Sequence, residues 1–137
     1  MPVKKIIFVF LACATAPGLA QEKQPALKGV SAVRIANYGA PSKLFESKAD
    51  VNALLEELGK LRSKPWVRRE ARITCYASII VMSGKQALTT FRVKPDTVVE
   101  RVPEKGGQAT YYTLAIDEAD IPLITKLLQD APPPRCK

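Results

Sequence analysis

The sequence predicts an α+β fold of two layers: a five-stranded, mainly antiparallel sheet in the order β-α-β-β-β-β-α, with two helices on one face. Three observations predict it. Ala71 to Val93 reads ARITCYASIIVMSGKQALTTFRV, two alternating arms around a Ser-Gly step. Val51, Leu54, Leu55, Leu58 and Leu61 recur at spacings of three and four, and Ile121, Ile124, Leu127 and Leu128 repeat that pattern after the last strand. Alternation at every second residue is the signature of a strand, whereas three-and-four spacing gives a helix one apolar stripe. Strands joined by short turns should run antiparallel, and two singly striped helices fit over one sheet face.

The first 20 residues stand apart from this fold. Lys4 and Lys5 precede the apolar stretch Ile6 to Ala14, and Pro17, Gly18, Leu19 and Ala20 then lead into polar Gln21 to Gln24. This is the pattern of a secretory signal peptide, residues 1–20, cleaved after Ala20. The apolar stretch falls short of the roughly 20 residues that cross a bilayer. A second route stays open, because Leu11 and Ala12 precede Cys13 as they would a lipid-bearing cysteine. Against it, Phe10 is bulky where the bacterial motif usually carries Leu. Residues 21–28, with Pro25 among them, carry little to bury and read as a flexible lead-in. Residues 29–137 then make one domain with a Pro-rich tail.

Within that domain, Val30, Val33, Ile35 and Tyr38 mark a first strand that ends at the turn signal Gly39, Pro41, Ser42. Ser47 and Asp50 open the first helix, Ser47 to Leu61, as a capping box with a shorter acid, and Glu56 and Glu57 fall on its polar side. Gly59 costs up to about 1 kcal/mol in a helix interior, so it marks fraying or a close backbone contact. Pro65 stops the helix by Ser63 or Lys64.

In the hairpin, Ala71, Ile73, Cys75, Ala77, Ile79 and Val81 share one side, with Arg72, Thr74, Tyr76 and Ser78 between them. Gly84 supplies the positive φ of the reversal. Ala87, Thr89, Phe91 and Val93 return on one side, Leu88, Thr90 and Arg92 on the other. Thr97 to Val102 and Gln108 to Ile116 are the last strands, joined through Pro103 to Gly107. Asp117 and Asp120 suit a helix amino terminus, Pro122 is tolerated in its first turn, and Pro132 to Pro134 end it.

The chain carries 21 Lys plus Arg against 13 Asp plus Glu, and loss of Lys4 and Lys5 with the signal leaves 19 against 13, a charge of +6. Outside the cytoplasm, a moderately basic chain meets acidic proteins, lipid headgroups, glycans or cell-wall polymers rather than nucleic acid. Cys75 and Cys136, the pair left after Cys13 departs, are expected to be bridged in an oxidising compartment. The closed loop of about 60 residues would lower denatured-state entropy by an amount worth roughly 4 kcal/mol.

Histidine is absent, which removes the commonest general base near neutral pH and the commonest metal ligand. Two cysteines so far apart make no zinc motif, and no cofactor motif is found. Gly84-Lys85 lacks the rest of a phosphate loop. Glu56 with Glu57, and Asp117 with Glu118 and Asp120, could supply a carboxylate-based hydrolase, but helix surfaces and caps account for acids in those places.

Two surfaces could bind a partner. The first is Leu61 to Arg72, where Arg62, Lys64, Arg68, Arg69 and Arg72 surround Trp66, the only tryptophan. Arg and Trp are the residue types of interface hot spots, and Arg also forks onto carboxylate or phosphate. The alternative is that Trp66 caps the core beneath a solvated basic loop, since a single large aromatic in a small domain is usually buried. The second is the sheet face away from the helices, with Tyr76, Ile80, Met82, Leu88 and Tyr111. The expectation is a small non-enzymatic binding module, periplasmic or secreted, acting by protein association as an inhibitor, immunity-type or accessory factor does. The alternative is an envelope-associated domain that holds anionic lipid or wall polymer through the basic cluster. An uncovered sheet face or edge would also admit a second copy of the chain.

Overall fold

The structure, a computed structural model, describes residues 23–136. The signal peptide and the alternative lipid-bearing Cys13 lie outside those residues.

The strands are β1 (Ala32–Ala36), β2 (Lys43–Phe45), β3 (Ala77–Ser83), β4 (Gln86–Lys94), β5 (Thr97–Pro103) and β6 (Ala109–Ala115). The helices are α1 (Lys48–Arg62), between β2 and β3, and α2 (Pro122–Asp130), at the end. All strands join one antiparallel sheet in the order β2-β1-β3-β4-β5-β6. The α+β fold is therefore as the sequence implies, with six strands rather than five. The extra strand is β2, whose three residues pair Phe45 with Val33 on the edge of the sheet.

Both helices lie over one face. Their apolar stripes bring Leu54, Leu58, Leu61, Ile121 and Ile124 onto Ile79, Phe91, Val93, Val98 and Leu114 in a single core, with Leu127 and Leu128 packed at its border. Area removed from water at such positions contributes on the order of 25 cal/mol per Å². Ser47 caps α1 as its sequence implies, its hydroxyl accepting from the Asp50 amide at 3.1 Å. Gly84, at φ 60°, turns the β3–β4 hairpin. Near that turn Val81 pairs with Thr89 and Met82 with Ala87, so Leu88 is the extra residue of a bulge, and Ala87, expected on the side of Thr89, is exposed opposite Met82 instead.

Three expectations need correction. The alternation of Ala71 to Tyr76 does not build a strand, because β3 starts only at Ala77. Those residues lie in an irregular connection, Cys75 breaks it at a positive φ of 56°, and Ile73 stands outside the core. Gly59 marks neither fraying nor close approach: it sits inside α1 with open space where a Cβ would go. Glu57 is buried, not on the polar side of α1. Its carboxylate accepts from the amides of Leu123 at 3.0 Å and Ile124 at 2.8 Å, capping α2, whose N-cap Ile121 has no side chain to do so.

Cys75 and Cys136 form the expected disulfide, 61 residues apart in sequence with Cα atoms 5.7 Å apart. Disulfides persist in oxidising compartments, and this one ties the end of the chain to the beginning of β3. The tail is held further by the Arg135 amide, which donates to the Tyr38 carbonyl at 2.8 Å. The lead-in is fastened as well, with Leu27 packed on the core and the Pro25 carbonyl accepting from Arg62 at 2.6 Å. No helix among the described residues is long and apolar enough to cross a membrane.

Candidate binding surface

The connection from α1 to β3 shapes the sheet face that the helices leave open. It first runs along the outer edge of β6, where Val67 and Thr113 exchange backbone hydrogen bonds of 2.9 and 2.8 Å. It then turns over the face itself: the Ala71 amide donates to Thr113 Oγ1, the Glu70 carboxylate meets Arg92, and the Thr74 carbonyl accepts from Lys94. Strand parity places Arg92, Val99 and Thr113 in one cross-strand row on this face. Val99 is fully buried there because the connection lies on that row.

The next row is left half open. It runs Leu44, Arg34, Ile80, Thr90, Arg101, Tyr111 across all six strands. Above its Tyr111 end, the Arg92 guanidinium lies between two aromatic rings, 5.4 Å from the centroid of Tyr76 and 5.4 Å from that of Tyr111. Cation–π contacts of this kind are worth about 0.5–1 kcal/mol each when exposed. Burial works against the Arg92 charge, but the Glu70 carboxylate 3.0 Å away and the two tyrosine hydroxyls outweigh it, and the guanidinium pKa is raised. Tyr38 extends the row, its ring edge-on to Tyr76 at 5.8 Å. Tyr76, Ile80, Met82, Leu88 and Tyr111 are all half-buried.

The basic cluster around Trp66 is divided by the fold. Arg62 turns inward and forks onto Glu100, which is fully buried, with Nη2 to Oε2 at 2.7 Å; Thr89 Oγ1 adds a hydrogen bond of 2.6 Å. Lys64 pairs with Asp120 at 3.3 Å. A hydrogen bond from the Asp117 amide, with help from Lys64, holds the Asp120 carboxyl below the usual carboxylate range. Trp66 is half-buried against the core: its ring lies 6.5 Å from that of Phe91 and its Nε1 donates to the Leu61 carbonyl at 2.7 Å. Arg68, Arg69 and Arg72 remain exposed. Arg69 and Arg72 belong to the stretch that crosses the sheet, whereas Arg62 is turned to Glu100, Lys64 stays exposed beside Asp120, and Trp66 is half-buried.

The carboxylates do not converge. Glu57 caps α2, Asp117 and Asp120 form a reciprocal capping box, and Glu56 points to solvent on α1. Among the described residues no group of three or more His, Cys, Asp or Glu could hold a metal ion. Sequence reasoning missed Arg92, the centre of the stack, and Arg101. Both were within reach of strand parity, since each alternates with core residues of its own strand. No protein family, curated protein or solved structure matches the chain.

Proposed function

We propose that this chain is an exported, non-enzymatic binding module that associates with an acidic partner protein, as an inhibitor, immunity-type or accessory factor would. The observation that carries the reading is the open row of the sheet, where Arg34, Ile80 and Arg101 lead to the Tyr76, Arg92, Tyr111 stack. Tyrosine and arginine dominate interface hot spots, because each brings a rigid, amphipathic group that loses little freedom on binding. Here the stack fixes its members before any partner arrives, which lowers the ordering cost of association. Cationic Arg34, Arg69, Arg72 and Arg101 make acidic surfaces the complementary ones. The non-catalytic part is supported by Glu57, Asp117 and Asp120, taken up as caps, by Glu100 in the core ion pair, and by a sequence without histidine.

A photo-crosslinking side chain at Thr90 of the mature chain tests this in envelope extract. One acidic protein should be captured from Thr90 and not from Lys60 on the solvent side of α1, and Arg101→Glu with Arg34→Glu should abolish the adduct. Equal capture at both positions, or capture indifferent to the charge reversal, overturns the proposal.

The exposed guanidiniums of Arg69 and Arg72 favour a second reading, an envelope-associated domain on anionic lipid or wall polymer. Sedimentation with phosphatidylglycerol vesicles at low salt, lost on Arg69→Glu with Arg72→Glu, would support that reading instead.

A further inference from the structure

At the end of the sheet that carries the disulfide, a cavity of about 500 Å³ opens between α2, the β4–β5 turn and the proline-rich tail. Small-molecule sites commonly occupy roughly 300–1,000 Å³ and are mostly apolar. The side chains of Ala77, Val93, Ile121 and Leu128 line one part of this cavity, and the rings of Pro95, Pro133 and Pro134 another. It is a held shape. Asn37 Nδ2 donates to the Leu128 and Pro132 carbonyls, both at 2.9 Å, Arg135 is bonded to Tyr38, and the Cys75–Cys136 bridge closes the strap behind them.

The polar groups of the lining say what it does not select. The Asn37 amide is already committed to two carbonyls and Lys94 donates to Thr74, while Glu118 and Gln129 are exposed at the rim and Thr125 alone adds a hydroxyl. No buried side-chain polar atom in this lining lacks a partner. A ligand with many polar groups would lose more bonds to water than Thr125 and the rim residues return. Lys94 and Glu118, both in the lining, are of opposite sign, so neither an anion nor a cation is favoured. Three prolines and Tyr38, a residue 45% exposed, supply ring surfaces to the lining.

We propose that this cavity binds an uncharged, flat, apolar small molecule, aromatic or alicyclic, stacked against the proline rings and Tyr38. The site meets the acidic-partner surface only at Tyr38, contains none of its arginines, and does not depend on that reading.

Titration of the mature chain with N-phenyl-1-naphthylamine, a neutral aromatic probe, tests the assignment. Fluorescence should rise to a one-site plateau, and the amide resonances of Asn37, Ala77 and Thr125 should shift. Thr125→Trp should fill the cavity and weaken binding at least tenfold with the thermal midpoint kept. Ala131→Phe, from the tail side, serves the same purpose if Thr125→Trp does not fold. Absence of saturation, shifts confined to the Ile80 and Tyr111 face, or wild-type affinity in the folded plugged variants overturns the proposal. So does binding of decanoate without binding of the aromatic probe, which would mark a chain-shaped site.

Discussion

Glu100 is the residue on which the centre of the sheet turns. A fully buried carboxylate is tolerable only if its charge is met, and here Arg62 and Thr89 meet it. The same arginine reaches the Pro25 carbonyl, so one guanidinium ties the carboxyl end of α1 to both the sheet and the lead-in. Glu100→Ala strands that guanidinium, and the variant should lose about 3–5 kcal/mol of stability. A urea melt would show it as a lower midpoint at unchanged slope. Arg62→Met with Glu100→Leu should recover most of the loss, because similar apolar volume without a desolvated charge is often neutral or better. If Glu100→Ala melts like the wild type, the pair is not a structural bond. This residue was legible in the sequence: Val98, Glu100 and Val102 alternate, so parity alone puts the acid on the face that the helices cover. Glu57 carried a similar sign, lying three residues after Leu54 and four before Leu61 on the apolar stripe.

At the scale of elements, strong periodicity proved a sound guide where tertiary contacts did not compete with it. Both helices and the strands β1 and β3 to β6 follow from apolar spacing, turn residues and prolines. β2 left almost no trace, since only Phe45 of its three residues is buried and an edge strand needs one ladder alone. The stretch Ala71 to Tyr76 deceived for the opposite reason. It alternates like a strand, yet its Ala71 amide and Thr74 carbonyl bond the side chains of Thr113 and Lys94 while it passes over the sheet instead of joining it. That division also split the cluster around Trp66, because spacing along the chain cannot say which arginine faces a buried acid 38 residues away. Gly59 tests the local side of this account. Its position is helical, exposed and open at the Cβ, so Gly59→Ala should raise stability by about 0.5–1 kcal/mol. Thermal unfolding followed by circular dichroism measures the gain, and a loss would mean that the glycine serves a contact the fold does not show.

For the whole molecule, the decisive feature is which part of the sheet remains available. A partner could add a strand at an edge or dock on the face, and the two modes require different exposed groups. One edge is β2, short and bearing Lys43. The other is β6, where Val67 occupies the backbone of Thr113. With one edge short and charged and Thr113 of the other already paired, the face is the more available route to a partner, and this is why the Arg34 to Tyr111 row bears the proposed function. The guard on β6 can be lifted by a single change. Val67→Pro removes the amide that donates to Thr113 and imposes a φ unsuited to the pairing. The freed carbonyl and amide of Thr113 would then form a template for a second chain. Sedimentation velocity should show Val67→Pro self-associating with rising concentration under conditions where the wild type keeps one sedimentation coefficient. Equal behaviour of the two proteins would mean that the edge is blunted by something other than the α1–β3 connection, and the preference for the face would lose its structural reason.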